Sequence, residues 1–305
     1  LLVVLQVIVF ATLAALFFSL QGIANRKAVL DKEVIPGSFL SVAISIPFIL
    51  PIILWSGEIF TFFSTEPISI LLLAIMGVIQ YVGGRGLNTL AVKMIGNTRS
   101  TPIRETSLIH SVLFGIVLLN ERVTLLASLA VVLILFGVMM ASMSGEVIPQ
   151  SRSTNFRSST LLKGILIGLV GASFWGFAPI LIRSALPGVS SPIMATWISF
   201  IFGTIAWTVI LTGTRKVGGI KRLGKTSIIL FLVAGVMTVM AQLFRFSALG
   251  LEQVVFVVPL MVGINPIFNL ILSAILIRKI EGINKFVIIG ILASALGAFG
   301  VASGL

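Results

Sequence analysis

The chain has 305 residues, 58% hydrophobic and only 10% charged, with a mean hydropathy of +1.19. That leaves too little polar surface to cover a soluble globule of this length, so lipid is the expected solvent and the expected fold class is an all-α integral membrane protein. The formal net charge is +12, but the basic residues sit in short clusters between apolar runs, which excludes a continuous nucleic-acid face and reads as loop charge that orients the chain in a bilayer.

About 20 apolar residues are needed to cross the hydrocarbon layer, and runs of that length can be read directly. The first, Leu1 to Ala24, lacks the basic start of a signal peptide and is long enough to span, so it is read as a transmembrane helix near Leu5 to Ala24. Four more follow: Pro36 to Trp55, Ile68 to Thr89, Ser100 to Leu119 and Leu125 to Met143. After the polar stretch Ser144 to Thr160, which holds Arg152, Asn155 and Arg157, come Leu161 to Ile182, Pro192 to Thr212, Ser227 to Leu249, Gln253 to Ile277 and Ile283 to Val301. The expectation is ten transmembrane helices in two five-helix repeats, 1–143 and 161–305, joined by a linker over 144–160.

The two halves repeat one another. Ala15 and Phe17 match Ala172 and Phe174, Arg26 matches Arg183, and Ala91 and Pro102 match Ala248 and Pro259 at one constant offset. Gly77 with Gly235, Glu121 with Glu281 and Gly137 with Gly297 follow when the offset drifts slightly. An odd number of spans per repeat makes the second half enter the membrane from the opposite side, so the repeats are expected to be inverted. Loop charge tests this, because positive residues should then switch between equivalent loops. Arg26, Lys27 and Lys32 follow the first span, whereas the loop after the second carries Glu58 and Glu66. In the second half the loop after the sixth span has little beyond Arg183, and Arg215, Lys216, Lys221, Arg222 and Lys225 crowd the loop after the seventh. Lys93 and Arg99 after the third span, and Arg278, Lys279 and Lys285 after the ninth, keep the same side.

Ala15-Leu16-Phe17-Phe18 and Ala172-Ser173-Phe174-Trp175-Gly176, together with the turn Leu119-Asn120-Glu121-Arg122 leading into Gly137, carry a resemblance. They are similar to motifs of the drug/metabolite transporter superfamily, specifically its ten-helix members with paired EamA domains. Ile280-Glu281-Gly282 leading into Gly290 and Gly297 resembles the second copy of the turn. The resemblance implies alternating access around a central cavity between the halves, lined by the first, third and fourth helices of each repeat. It also implies cytoplasmic termini, whereas the loop charges place the loops after odd-numbered spans in the cytoplasm and the termini outside.

An ionisable side chain at the bilayer centre costs about 2.5–3.5 kcal/mol, so each one inside a span needs a partner, a wet cavity or a function. Tyr81, Arg85 and Asn88 fall at helical spacing in the third span, and Gln242 and Arg245 in the eighth. These are candidate substrate contacts, the guanidinium groups suiting a carboxylate or phosphate; the alternative is that both arginines snorkel to an interface. The fourth span holds Arg104, Glu105 and His110, the last two as proton-coupling candidates, with a plain Arg104–Glu105 neutralising pair or a packed imidazole as alternatives. Trp175, Asn265 and Asn269 complete the candidate substrate-binding set. Pro102, Pro179, Pro259 and Pro266 are candidate helix breaks, and the small residues of Ala293 to Gly304 a candidate packing or homodimer face.

No enzyme is expected. Cysteine is absent, Asp31 is the single aspartate and lies in a loop, and His110 is the single histidine, so neither a paired-aspartate site nor the usual metal sites can be assembled, and no phosphate-binding glycine loop occurs. The expected function is secondary transport of a small metabolite, an amino acid or similar zwitterion or anion, across the plasma membrane, with a sugar phosphate or nucleotide sugar as alternative cargo. No cofactor, metal or nucleic acid is expected; the partners are the solute and the lipid bilayer.

Overall fold

A computed structural model of the chain describes residues 2–28, 34–95, 97–142, 158–276 and 285–303. Asp31, Lys32, Arg152, Asn155, Arg157, Arg278, Lys279 and the Ile280-Glu281-Gly282 turn lie outside the described residues, as do the side chains of Arg26, Lys27, Lys93, Arg99 and Lys285. Within them the chain is helical, with no strand. In chain order the helices are α1 (Leu2–Ala28), α2 (Val34–Ala43), α3 (Ser45–Trp55), α4 (Pro67–Val78), α5 (Arg85–Ile95), α6 (Asn97–Glu105), α7 (Ser107–Leu119), α8 (Leu125–Ser142), α9 (Ser158–Ala185), α10 (Pro192–Gly213), α11 (Gly219–Arg222), α12 (Lys225–Leu251), α13 (Val254–Leu276) and α14 (Lys285–Ala302). Eight stretches among the described residues are long and apolar enough to cross a membrane, and Leu125–Met140 and Phe286–Ala302 are shorter apolar helices. Each of the ten expected spans thus contains helix, and eight of them reach crossing length.

Several expected spans are built from two helical pieces. The second divides at Ile44, where α2 ends at Ala43: Pro47 has no N–H to offer the Ala43 carbonyl, and Pro51 repeats the omission one turn later. The third passes from α4 through a π-helical segment, Ile79–Gly84, into α5. The fourth breaks at Thr106, between α6 and α7. Helices α9 and α13, in contrast, run through Pro179 and through Pro259 and Pro266 without interruption.

The described chain forms two compact units that cut across the sequence halves. One comprises Leu1–Ile8, Gly83–Ile180 and Glu252–Leu305, the other Val9–Val82 and Leu181–Leu251, so each draws helices from both. Each unit has its own close helix crossing made by small residues. In the second unit Gly77 of α4 lies on the Ser199 carbonyl of α10, and Gly235 of α12 lies on the Ser41 carbonyl of α2, so close that a Cβ at either glycine would collide with backbone. The sequence shift that carries Gly77 onto Gly235 also carries Ser41 onto Ser199. In the first unit Gly137 of α8 meets the Gly290 carbonyl of α14, and Gly297 of α14 meets the Ala130 carbonyl of α8. There too one shift relates both pairs. Such reciprocity, in which one position meets a second and their counterparts meet in exchange, is the contact pattern of a two-fold relation. The small residues of the α14 run, Ser294, Gly297 and Ala298 among them, are occupied in this packing within the chain. The outward faces of α8 and α14 carry Leu129, Val132, Phe136, Leu292, Leu296 and Phe299, a surface suited to lipid.

Glu121, in the turn between α7 and α8, reaches the start of α13. Its Oε1 accepts from Val254 N at 2.8 Å and its Oε2 from Val255 N at 2.9 Å. The first N–H groups of a helix lack intrahelical partners and carry its positive dipole end, so a carboxylate placed there satisfies two donors at once. Asn120 supplies the left-handed turn (φ 52°) that aims the next residue inward, and Gly115 leaves room for the carboxylate. Arg183 makes the opposite bond in the second unit, donating Nη1 to the Leu249 carbonyl at 2.5 Å near the C-terminus of α12. Replacing Glu121 with Ala is expected to lower stability by about 3 kcal/mol and with Gln by roughly half that, since the amide can still accept one of the two bonds. Equilibrium unfolding in mixed micelles measures both, and an unchanged midpoint for Glu121→Ala would remove the cap from the list of interactions that hold α13.

Candidate functional site

One face of α12 is polar where the rest of the helix is apolar. Thr238, Gln242, Arg245 and Leu249 recur at spacings of four, three and four, so they share a side, and all are buried. Thr238 spends its hydroxyl on the Ala234 carbonyl at 2.7 Å, the usual solution for a hydroxyl in an apolar helix. Gln242 and Arg245 have no such outlet. They are 1% and 5% exposed, and Gln242 Oε1 and Nε2 and Arg245 Nε have no hydrogen-bond partner among the described residues. The buried guanidinium makes no ion pair there either. A cation left without a partner in a low-dielectric interior costs several kcal/mol, more than packing around it returns.

Tyr81 lies within electrostatic reach of Arg245. It sits in the π-helical segment, a wider turn that releases a backbone carbonyl from the helical ladder. The Trp207 indole closes that gap, donating Nε1–H to the Tyr81 carbonyl at 2.9 Å. The Tyr81 ring stacks on Phe200 with centroids 4.6 Å apart, its hydroxyl is 3.4 Å from Ser199 Oγ, and Gly203 lets the ring lie against α10. Phe244, next to Arg245 on α12, stacks on Phe17 of α1 at 5.7 Å and tilts toward Phe10 at 6.0 Å. The second unit therefore holds a rigid aromatic frame around Tyr81 and a guanidinium and amide with unmet hydrogen-bonding capacity.

The remaining candidates lie in the first unit. Arg104 donates Nε and Nη2 to Glu105 Oε1 at 3.0 and 2.5 Å. Neighbouring residues do not face each other on a regular helix, and this pair forms where α6 ends at the Thr106 break. His110 places Nε2 3.4 Å from Ser173 Oγ, and Ser173 already donates to the Leu169 carbonyl at 3.0 Å. The serine oxygen can then only accept, which puts the imidazole proton on Nε2 and leaves Nδ1, buried and unpartnered, as an acceptor. The ring lies 6.2 Å from Phe114, which meets Phe177 edge-on at 5.4 Å. Trp175 packs on Gly84, whose missing side chain admits the indole. Arg85 and Asn88 open α5, half-buried. Asn269 donates Nδ2 to Asn265 Oδ1 at 2.7 Å.

Of the sequence candidates, Tyr81, Gln242 and Arg245 fall in one unit and Arg85, Asn88, Arg104, Glu105, His110, Trp175, Asn265 and Asn269 in the other. Sequence reasoning did not single out Ser199, Phe200 or Trp207, and it read Ser173 only as part of the Ala172-Ser173-Phe174-Trp175-Gly176 motif. The signal for the first group was present as Ser199, Gly203 and Trp207 at four-residue intervals, a small-residue stripe that lets α4 approach, with an indole donor one turn on. Among the described residues no group of acidic or histidine side chains could hold a metal ion.

If the Arg245 charge is unmatched in the solute-free protein, Arg245→Met should raise its stability by about 1–3 kcal/mol, as replacement of a buried charge by an apolar side chain of similar length often does. Unfolding in mixed micelles without added solute tests this, and a loss of similar size instead would mean that the guanidinium holds the helices together.

The sequence profile of the EamA-like transporter family matches residues 5–143 and again 162–303. A solved structure described only as a crystal structure of a protein superposes with a TM-score of 0.74, covering 97% of this chain and 98% of that one. Their sequence identity is 14%, so the likeness speaks to the fold alone. Comparison with curated proteins gives no match.

Proposed function

This chain belongs to the EamA-like transporter family and is a multi-pass membrane protein, and we propose that it is a secondary transporter moving a small carboxylate-bearing metabolite by alternating access between two inverted five-helix repeats. The carboxylate carrier reading rests on one observation: Arg245 and Gln242, buried on one face of α12, keep a charge and an amide without partners. A structural arginine would be paired, as Arg183 and Arg104 are. An unpaired one is poised for a partner that comes and goes, with the solute carboxylate accepting from the guanidinium fork. Tyr81, pinned by Phe200 and Trp207, gives the cation a fixed neighbour, so binding requires little reorganisation.

The inverted arrangement is supported by the reciprocal contacts of Gly77 with Ser199 and Gly235 with Ser41, and of Gly137 with Gly290 and Gly297 with Ala130. With an odd number of spans per repeat, a two-fold relation requires its axis in the membrane plane. Two such halves can exchange the tilts of equivalent helices, which converts an outward-open state into an inward-open one without new structure. The repeats are assigned to 1–143 and 161–305.

Two experiments test the reading. Arg245→Gln, reconstituted in proteoliposomes, should lose at least about tenfold in solute exchange while remaining folded, and undiminished exchange removes Arg245 from the site. Because the chain has no cysteine, single introduced thiols report their side of the membrane cleanly. Ser64→Cys, after the second span, and Thr214→Cys, after the seventh, occupy equivalent loops and should react with an impermeant reagent from opposite faces. Reaction from one face would sink the inverted arrangement.

A further inference from the structure

The charge inventory around the α12 face narrows what the carrier takes. We infer that its solute is a monocarboxylate carrying a single negative charge, with a neutral hydroxyl or keto oxygen beside the carboxylate and no ammonium group. This inference rests on the proposed role of Arg245 and adds the class of cargo.

An amino acid brings a carboxylate and an ammonium into the membrane together, and the second charge needs an anion as much as the first needs a cation. Each carboxylate among the described residues is either engaged elsewhere or exposed. Glu58 accepts from Ser191 at the start of α10, and Glu66 is exposed at the start of α4. Glu105 is held by Arg104, Glu121 spends both oxygens on Val254 and Val255, and Glu252 accepts from Gln253 N at 2.8 Å. The other acidic residues of the sequence, Asp31, Glu33, Glu146 and Glu281, fall in the connections between apolar runs and lie outside the described residues. Glu105, the carboxylate the sequence offered for an amine, is therefore already neutralised.

A phosphate monoester raises the opposite difficulty. One guanidinium balances one negative charge, and a dianion would leave the second unmatched in the same low-dielectric surroundings. The group beside the charge is the Gln242 amide, one acceptor and one double donor, both unmet. An amide of that kind pairs with a neutral hydroxyl or keto oxygen next to the carboxylate and supplies no countercharge. Guanidinium plus amide is thus complementary to a 2-hydroxy or 2-oxo acid.

Matched probes separate the classes: lactate, 2-hydroxyisocaproate and 3-phenyllactate against alanine, leucine and phenylalanine, with 3-phosphoglycerate as the multiply charged arm. Thermal unfolding of the purified full chain in detergent gives the half-saturating concentration of each probe through the stabilisation that binding confers. At least one hydroxy acid should stabilise the wild type at a concentration about tenfold or more below its amino acid and below 3-phosphoglycerate. Arg245→Gln should raise that concentration by about 100-fold, and Gln242→Leu by a smaller factor that shrinks the gap between the hydroxy acid and the unsubstituted fatty acid. The transition of each variant without probe reports its folding in the same scan. Stabilisation by an amino acid or by 3-phosphoglycerate at equal or lower concentration overturns the cargo class, and if Arg245→Gln abolishes that response the site itself stands. A probe response that Arg245→Gln leaves unchanged overturns the site as well. Silence from all three hydroxy acids also overturns the cargo class.

Discussion

Hydrocarbon offers no hydrogen bonds, so every polar group carried into the membrane must be answered by the protein or remain a standing cost. Most of this chain's answers are local and inexpensive. Serine and threonine hydroxyls turn back on the carbonyl three or four residues earlier, as Ser19, Thr89, Thr196, Thr238 and Ser247 do. Others need a second helix: the Trp207 indole answers the carbonyl released by the π-helical segment, Arg183 answers Leu249 at the end of α12, and Glu121 answers the first two N–H groups of α13. Several buried side-chain atoms remain unmet among the described residues, Ser45 Oγ, Trp197 Nε1 and Thr204 Oγ1 included, and of these side chains Arg245, beside Gln242, is the one that carries a permanent charge. The same rule that organises the fold therefore also points to the proposed site, since a transporter must keep something unsatisfied for its solute to satisfy.

Close packing follows a related logic. Within a bilayer there is little hydrophobic gain in bringing helices together, so contact relies on backbones that can approach. Gly77, Gly137, Gly235 and Gly297 permit this, each meeting a carbonyl on a neighbouring helix. Their contacts come in exchanged pairs, which is how a duplicated sequence behaves when its copies pack on each other and not separately. The two compact units mix helices from both halves for the same reason: small-residue faces of one half are buried against the other.

Much of this was legible in the sequence. Apolar runs announced the helices, and the Arg245 and Gln242 spacing announced a polar face, because a charge in an apolar run is conspicuous whatever surrounds it. Glu121 was visible as a turn motif, yet its task as a cap on α13 was not, since the N–H groups it serves lie more than a hundred residues away in the chain. Pro179, Pro259 and Pro266 leave their helices continuous, while the interruptions fall at Ile44, Ile79–Gly84 and Thr106, so whether a missing N–H ends a helix depends on the packing around it. Asn265 and Asn269 were visible as amides in an apolar run, but the hydrogen bond they share was not.

What the sequence determined by itself is the solvent, the helical content, the duplication and the identity of the few polar residues that lipid would not tolerate idly. Composition and periodicity settle these because they depend on each residue's transfer energy and on its near neighbours alone. Which of those polar residues are satisfied was decided only in the tertiary structure. Arg104 and Arg245 are the same side chain, yet the first, partly exposed, has Glu105 within 3.0 Å and the second is buried without a partner among the described residues. Satisfaction is a matter of distance between groups, and distance across helices is set by how whole faces pack.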